Sequence, residues 1–466
     1  MAGKTIVPKK TPMPEQLPEV RIRNYHEVPY GYTAEQAMAE AKRCLECPKS
    51  PCILGCPVRV DIPAFLKLVA AGDFLSASAL IKETNAIPAI TGRVCPQETQ
   101  CEGVCLLSKR FESVAIGRLE RFVADWESSN PVFSLPKLPP PTNKKVAVVG
   151  SGPAGVIVAA DLARMGHDVT IFEALHEAGG VLSYGIPEFR LPKVVLKHEI
   201  DYVRSLGVHI RFDFVVGVSA AVDELLMEYD AVFLGTGAGT PWFLDIPGET
   251  LSGVYSANEY LTRANLMKAY LYPEYDTPIA RGRCVIVIGG GNTAMDAART
   301  ALRLGAKESL IVYRRSLKEL PARLEEVEHA QQEGVQFHLL TSPVAFYGEN
   351  GRVSELECQR NELGEPDSSG RRAPVAVEGS NFRISADVMV ISIGQSPSPI
   401  ISRTTPELTT GKRGTVSVDP ASMKTSKKGV FAGGDIITGG ATVIQAMGQA
   451  RIAAKAMAEY LESGVW

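Results

Sequence analysis

With 466 residues the chain has room for about three domains, and a hydrophobic content of 45% is ample for ordinary cores. No run approaches the roughly 18 apolar residues of a membrane span. The formal net charge of -3 leaves no basic excess for nucleic acid, so a membrane-spanning protein and a nucleic-acid binder are both excluded.

Met1 to Glu19 are rich in lysine and proline without a continuous apolar stretch. No secretory signal is expected there, and the thiols should stay reduced, in the cytoplasm. Thr33-x-x-Gln36 is a capping-box start for a helix running to about Cys44. Ile62 to Ala71 and Phe74 to Glu83 read as further short helices.

This helical region holds seven of the nine cysteines, falling mainly at helix ends and turns. Cys44, Cys47, Cys52 and Cys56 form C-x2-C-x4-C-x3-C-P. That is one spacing away from the ferredoxin run C-x2-C-x2-C-x3-C-P, whose fourth cysteine ligates the other cluster of a pair. By that logic Cys44, Cys47 and Cys52 hold one cluster while Cys56 reaches a second. Cys95, Cys101 and Cys105 then return one ligand to the first cluster and two to the second. Zinc ribbons repeat C-x2-C, which this second group does not match, and disulfides belong to oxidising compartments.

Seven thiolates leave the pair one ligand short of eight. In the helix expected from about Val114 to Glu127, Glu120 sits within the apolar stripe of Ile116, Leu119, Val123 and Trp126. A carboxylate there must be paired or metal-bound. The alternatives are an ion pair with Arg93, Arg118 or Arg121, or Glu102 as the ligand instead.

Leu135-Pro136-Lys137-Leu138-Pro139-Pro140-Pro141 reads as a stiff linker. After it the chain repeats a unit of strand, glycine turn, helix and second strand, the start of a Rossmann fold. In the first copy Gly150, Gly152 and Gly155 form G-x-G-x-x-G, and Glu173 ends the second strand, placed for a ribose hydroxyl. In the second copy Gly289, Gly291 and Ala294 form the G-x-G-x-x-A variant. Its second strand ends in Tyr313-Arg314-Arg315, which suits a 2′-phosphate and hence NADP(H), unless the arginines are solvated surface charges. Gly429 to Asp435 is a short strand ending in Gly-Gly-Asp, followed by a helix from about Thr442 through Tyr460. Gly434 and Asp435 can therefore bind the flavin ribityl and pyrophosphate region.

The expected fold is α/β, with two nested Rossmann-like dinucleotide-binding domains preceded by a helical iron-sulfur domain. The boundaries are 1-140 for the helical domain, 141-255 with 386-466 for the FAD domain, and 256-385 for the NADP(H) domain. Cys284 and Cys358 form no C-x-x-C and read as core thiols. The histidines show no ligand spacing, and hydride transfer to a flavin asks for stacking and orientation, so no catalytic side chain is named.

Several segments together resemble the glutamate synthase small (beta) subunit family, including the large subunit of NADH-dependent ferredoxin:NADP oxidoreductase. They are RCLECPKSPCILGCPVRVDIP (43 to 63), GRVCPQETQCEGVC (92 to 105), VGSGPAG (149 to 155), YGIPEFRLPK (184 to 193), GGGNTAMDAARTALRLGA (289 to 306), YRRS (313 to 316) and AGGDIITGGATVIQA (432 to 446). The resemblance implies FAD in the first unit, NADPH in the second, and two 4Fe-4S clusters. It extends the cofactor contacts to Pro153, Ala154, Gly180, Arg190, Asn292, Thr293 and Thr442, and it supports a non-cysteine ligand at Glu120. Relatives often carry a cysteine where this chain has Thr91, so that cysteine is not an essential ligand.

The implied activity is electron transfer from NADPH through FAD and the clusters to a partner protein. That partner is a glutamate synthase large subunit or, as the alternative, a smaller flavoprotein subunit together with ferredoxin. A sulfide oxidoreductase role lies within the same family. Met1-Ala2-Gly3 offers no N-terminal cysteine nucleophile for amidotransfer, so the chain is expected to be an electron-input module.

Overall fold

The computed structural model describes residues 7-130 and 135-466; Met1-Ala2-Gly3 lies outside the described residues. The first part is helical. Ala34–Ala41 begins with the expected capping box, Thr33 Oγ accepting from Gln36 N and the Gln36 side chain accepting from Thr33 N. It ends at Ala41, ahead of the expected Cys44. Ile62–Ala71 and Phe74–Lys82 are each capped by an aspartate, with Asp61 accepting from Ala64 N and Asp73 from Ser76 N. Gly72, at φ +82°, closes the first of these helices in the left-handed conformation that favours glycine. Pro88–Val94 and Ile116–Ser129 complete the bundle. Phe65, Leu66, Ile81, Ile90 and Leu119 are all but inaccessible in its core, each contributing about 1.5–3 kcal/mol of burial.

Two five-stranded parallel sheets follow, one inserted into the other. The first runs Val430–Ala432, Ala231–Leu234, Lys145–Val149, Asp168–Phe172 and His209–Arg211. The second runs Val254–Ser256, Val388–Ile391, Cys284–Ile288, Glu308–Val312 and Gln336–His338. Their central strands are almost wholly apolar because both faces are covered, the second sheet by helices on one face and by antiparallel strands on the other.

Two expected boundaries move. Val388–Ile391 pairs with Cys284–Ile288 in the second sheet, so a return to the first unit at residue 386 is too early; the strand that rejoins it is Val430–Ala432. Val254–Ser256 likewise pairs into the second sheet, across the expected break at 255. Both are short apolar strands without a glycine turn, and hydrogen-bond pairing alone assigns them.

An antiparallel hairpin of Thr341–Glu349 and Arg352–Pro366, extended by Arg372–Ala376 and Phe382–Ser385, lies outside the expected elements and packs Phe346, Val353 and Leu356 against the second sheet. Its turn is Asn350-Gly351, both at positive φ, which is the strongest short hairpin signal a sequence carries.

The helical part and the two sheets are tied together at named points. The long helix Val443–Ser463, capped by Thr442 and Gln445, packs on Pro153–Arg164. A Cβ at its Gly448 would lie 3.0 Å from the Pro57 carbonyl oxygen, so the helix seats closely on the loop after Cys56. A buried ionic network joins all three parts. Glu333 receives Arg21 Nε at 2.8 Å, Arg299 Nη2 at 2.8 Å and Arg303 Nη1 at 2.6 Å. Arg299 also pairs with Glu326, which in turn takes Arg190 Nε at 2.9 Å.

Candidate functional site

A cavity of about 1380 Å³ opens between the two sheets, at the C-terminal ends of their strands, where open α/β folds bind their ligands. Both glycine turns line it. Gly150 stands at φ +96°, and a Cβ there would be 2.7 Å from the Gly235 carbonyl oxygen, so only glycine fits. At Gly152 nothing lies within 4 Å of an added Cβ; this backbone faces the open space where a pyrophosphate can approach. Gly155 is wedged, with its would-be Cβ 1.9 Å from the Gly150 oxygen, and it draws the helix Pro153–Arg164 against the turn. The second turn repeats the design: Gly289 is hemmed in by the Ser392 oxygen and Gly291 faces open space. Ala294 sits fully buried on Asn292–Arg303.

Of the remaining expected residues, Pro153, Ala154, Glu173, Gly180, Asn292, Thr293, Gly434, Asp435 and Thr442 all line this cavity. The buried Glu173 carboxylate accepts from Ser151 N at 2.9 Å and Leu175 N at 2.8 Å, which fixes its position at the strand end. Asp435 accepts from Ala441 N at 2.9 Å, and burial pushes its carboxyl above the ordinary range.

Three arginines expected at the cofactors divide by partner. Arg190 reaches the cavity wall, but its guanidinium is already committed to Asp296, at 2.8 and 2.7 Å, and to Glu326. It is a strut between the two units. Arg315 is 2% exposed and spends its guanidinium on Asp367 and on the Arg372 carbonyl oxygen. Arg314 stays exposed on the same wall. The two arginines lie in the bend that follows the strand Glu308–Val312, and the bend turns Arg315 inward and leaves Arg314 outward.

The seven cysteines separate into two groups, all unbridged. Cys44, Cys47, Cys52 and Cys105 line one small cavity together with Leu45, Leu66 and Leu106. Burial pushes the Cys52 thiol up to about 11 and that of Cys44 upward too. The others gather around Glu120. Burial holds the Cys95 and Cys101 thiols well above their ordinary value and raises that of Cys56, and the charge of Glu120 adds to all three. Such thiols give up their protons when a metal takes their place. Among the described residues no three of His, Cys, Asp and Glu converge as on a single chelated ion.

Glu120 itself pairs with none of the arginines considered for it. Arg93 and Arg121 pair with Glu27 and Asp125, and Arg118 with Glu325. Instead Glu120 Oε1 accepts from Asn85 Nδ2 at 2.6 Å and from Thr91 Oγ at 2.8 Å, and burial raises its carboxyl to about 7. Thr91, the residue that departs from the family's usual cysteine, thus holds this carboxylate. Glu102, the other ligand candidate, is paired with Lys10 and accepts from Gly117 N at 3.2 Å.

The two cysteine groups stand in different relation to the large cavity. Val94 and Pro96, the neighbours of Cys95 on either side, line it. No cysteine of either group lines it directly, and none of Cys44, Cys47, Cys52 and Cys105 has a chain neighbour there. Cys284 and Cys358, as expected, pack into the apolar core of the second unit.

Comparison with known proteins agrees with this architecture. Residues 21–132 match the family described as dihydropyrimidine dehydrogenase domain II, 4Fe-4S cluster, and residues 144–450 match the pyridine nucleotide-disulphide oxidoreductase family. The NADP(+)-dependent formate dehydrogenase subunit beta of Moorella thermoacetica is 41% identical over 89% of this chain, which spans 60% of that longer protein. The glutamate synthase [NADPH] small chains of Halomonas elongata and Escherichia coli are 37% and 36% identical, with 96% of each protein covered. Mycobacterium tuberculosis FprA in complex with NADPH shares the fold over 69% of this chain and 85% of that one, at a TM-score of 0.58 and 22% identity. Among the described residues no helix is long and apolar enough to cross a membrane. With its iron-sulfur region, its two dinucleotide turns and near full-length similarity to the small chains, this chain belongs to the glutamate synthase small-subunit family and is an NADPH-dependent FAD and 4Fe-4S oxidoreductase of that type.

Proposed function

We propose that the chain is the electron-input subunit of a larger cytoplasmic enzyme, with FAD at the Gly150 turn, NADP(H) at the Gly289 turn and two 4Fe-4S clusters between the flavin and a protein partner. FAD, when bound, accepts an electron pair from NADPH and releases it as single electrons. The observation that carries the order is the placement of Val94 and Pro96 on the cavity wall. It supports Cys56, Cys95, Cys101 and Glu120 as the inner ligand set, with Cys44, Cys47, Cys52 and Cys105 as the outer one. Glu120 suits a ligand because both its hydrogen bonds fall on Oε1, leaving Oε2 for iron, and a bound iron offsets the several kcal/mol that burying a carboxylate costs. Glu173, Gly180, Gly434, Asp435 and Thr442 hold the flavin nucleotide. Asn292, Thr293 and Arg314 hold NADP(H).

The partner proposed is a glutamate synthase large subunit, from the near full-length similarity to small chains of that enzyme. NADPH should reduce the flavin of the isolated chain and drive artificial dyes, yet glutamate should not form from glutamine and 2-oxoglutarate until a second protein is added. Glutamate made by the purified chain alone overturns the electron-input role. Anaerobic copurification of a small flavoprotein in place of a large FMN protein would move the chain to the ferredoxin-linked branch.

Glu120→Ala is expected to alter the spectrum and potential of one cluster while FAD content and the other cluster stay unchanged. Electron paramagnetic resonance of the reduced protein reads this directly. An unchanged signal in Glu120→Ala beside a changed one in Glu102→Ala hands the role to Glu102.

A further inference from the structure

The wall that faces the end of the strand Glu308–Val312 is not made by that strand alone. The hairpin beyond it folds back, and Asn361 binds the wall from behind, donating from Nδ2 to the Arg314 carbonyl oxygen at 3.0 Å and to Ser342 Oγ at 2.8 Å. Arg315 grips the hairpin's far turn through Asp367 and the Arg372 carbonyl oxygen. Asp367 Oδ1 then accepts from Ser369 N at 2.8 Å and from Ser369 Oγ at 2.5 Å. Ser369 Oγ in turn accepts from Arg371 Nε at 3.0 Å. The turn is closed by Asp367 N donating to the Arg371 carbonyl oxygen at 2.8 Å. A continuous run of polar contacts therefore leads from the strand end to Arg371, which lines the same cavity as Arg314.

The charges along this run decide its use. Arg315 and Asp367 neutralise each other. Among the described residues neither Arg314 nor Arg371 forms a salt bridge, so two cations without a carboxylate partner line the same cavity, joined through the Arg315–Asp367 pair. A dianionic phosphate monoester held between them satisfies both, and guanidinium groups are the donors best shaped for it.

We propose that Arg371, carried on the Asp367 to Arg371 turn, is the second cationic contact to the 2′-phosphate of NADP(H), and that Arg315 is a positioning residue that holds this turn against the site. This rests on the reading of the second unit as the NADP(H) site. It reassigns the discrimination between NADPH and NADH from the adjacent pair Arg314 and Arg315 to Arg314 and a residue from a separate element. An arginine on a hairpin turn can be lost or gained without disturbing the Rossmann core, which makes the hairpin the adjustable part of nucleotide choice.

The test uses the holoenzyme and two adenosine probes that differ only at the 2′ position. Arg371→Gln is expected to weaken 2′,5′-ADP about tenfold while changing 5′-AMP by less than about twofold, and Arg371→Lys should recover part of the loss as a point charge. Flavin absorbance and iron content verify that each variant is intact. Unchanged 2′,5′-ADP affinity in Arg371→Gln, beside a clear loss in Arg314→Gln, overturns the hairpin's role and leaves the nucleotide site standing. No loss in either variant overturns both. An equal loss for 5′-AMP overturns the proposal as well, because the contact would then not be to the 2′-phosphate.

Discussion

Glu333→Ala is expected to destabilise the protein by about 3–5 kcal/mol, because it strips the shared carboxylate from three buried arginines at once. Arg21 and Arg299 are 1% and 0% exposed, so water cannot replace the lost partner, and each cation is left with its desolvation cost. The effect should also depend on pH. Burial pushes the Glu333 carboxyl up, but Arg299 and Arg303 pull it down further, to well below its ordinary 4.5. A carboxyl with a depressed folded value contributes stability that is fully present above about pH 4.5 and is lost as pH falls through the folded value. The wild-type advantage over Glu333→Ala should therefore be flat near neutrality and shrink in acid. Denaturant unfolding of the two proteins at several pH values measures it; equal midpoints near pH 7 would show that the network contributes nothing to stability. Since Arg21 comes from the helical part and Arg299, Arg303 and Glu333 from the second nucleotide unit, the variant should also loosen their docking, visible as faster proteolysis.

Cys95→Ala is expected to break electron flow while leaving its source intact. The anaerobically purified wild type should hold FAD and about eight irons in two four-iron clusters; the variant should keep FAD and about four irons. NADPH should still bleach its flavin, but the outer cluster should stay oxidised on that timescale, because the inner ligand set next to the cavity is the one removed. Cys47→Ala should do the reverse, with the inner cluster reduced normally and electron delivery to the partner lost. Stoichiometric zinc with little iron in the wild type would sink the cluster assignment, and prompt reduction of the outer cluster in Cys95→Ala would sink the order.

Much of this site could be read without coordinates because local backbone constraints leave a mark in the sequence. Gly150 and Gly155 are required by neighbouring carbonyl oxygens, and a constraint that strict allows one residue type. Capping pairs such as Thr33 with Gln36 and Thr442 with Gln445 work within a single helical turn, so their spacing alone announces them. Cysteine spacing carries metal chemistry in the same way, since few other uses of seven thiols produce it. The Asn350-Gly351 pair carries a hairpin signal of the same local kind.

The sequence by itself thus determined the order of the parts, the glycine turns, the ligand residue types and the family. Only the tertiary structure decided which residues meet across distance. Cys105 joined Cys44, Cys47 and Cys52 while Cys95 and Cys101 joined Cys56, a division that spacing left open. Glu120 found Asn85 and Thr91 and no arginine; Arg190 and Arg315 were claimed by Asp296 and Asp367; Val388–Ile391 went to the second sheet. Each outcome is a choice among chemically equivalent partners. A buried charge or strand edge must be satisfied by something, and what satisfies it depends on how the whole chain packs.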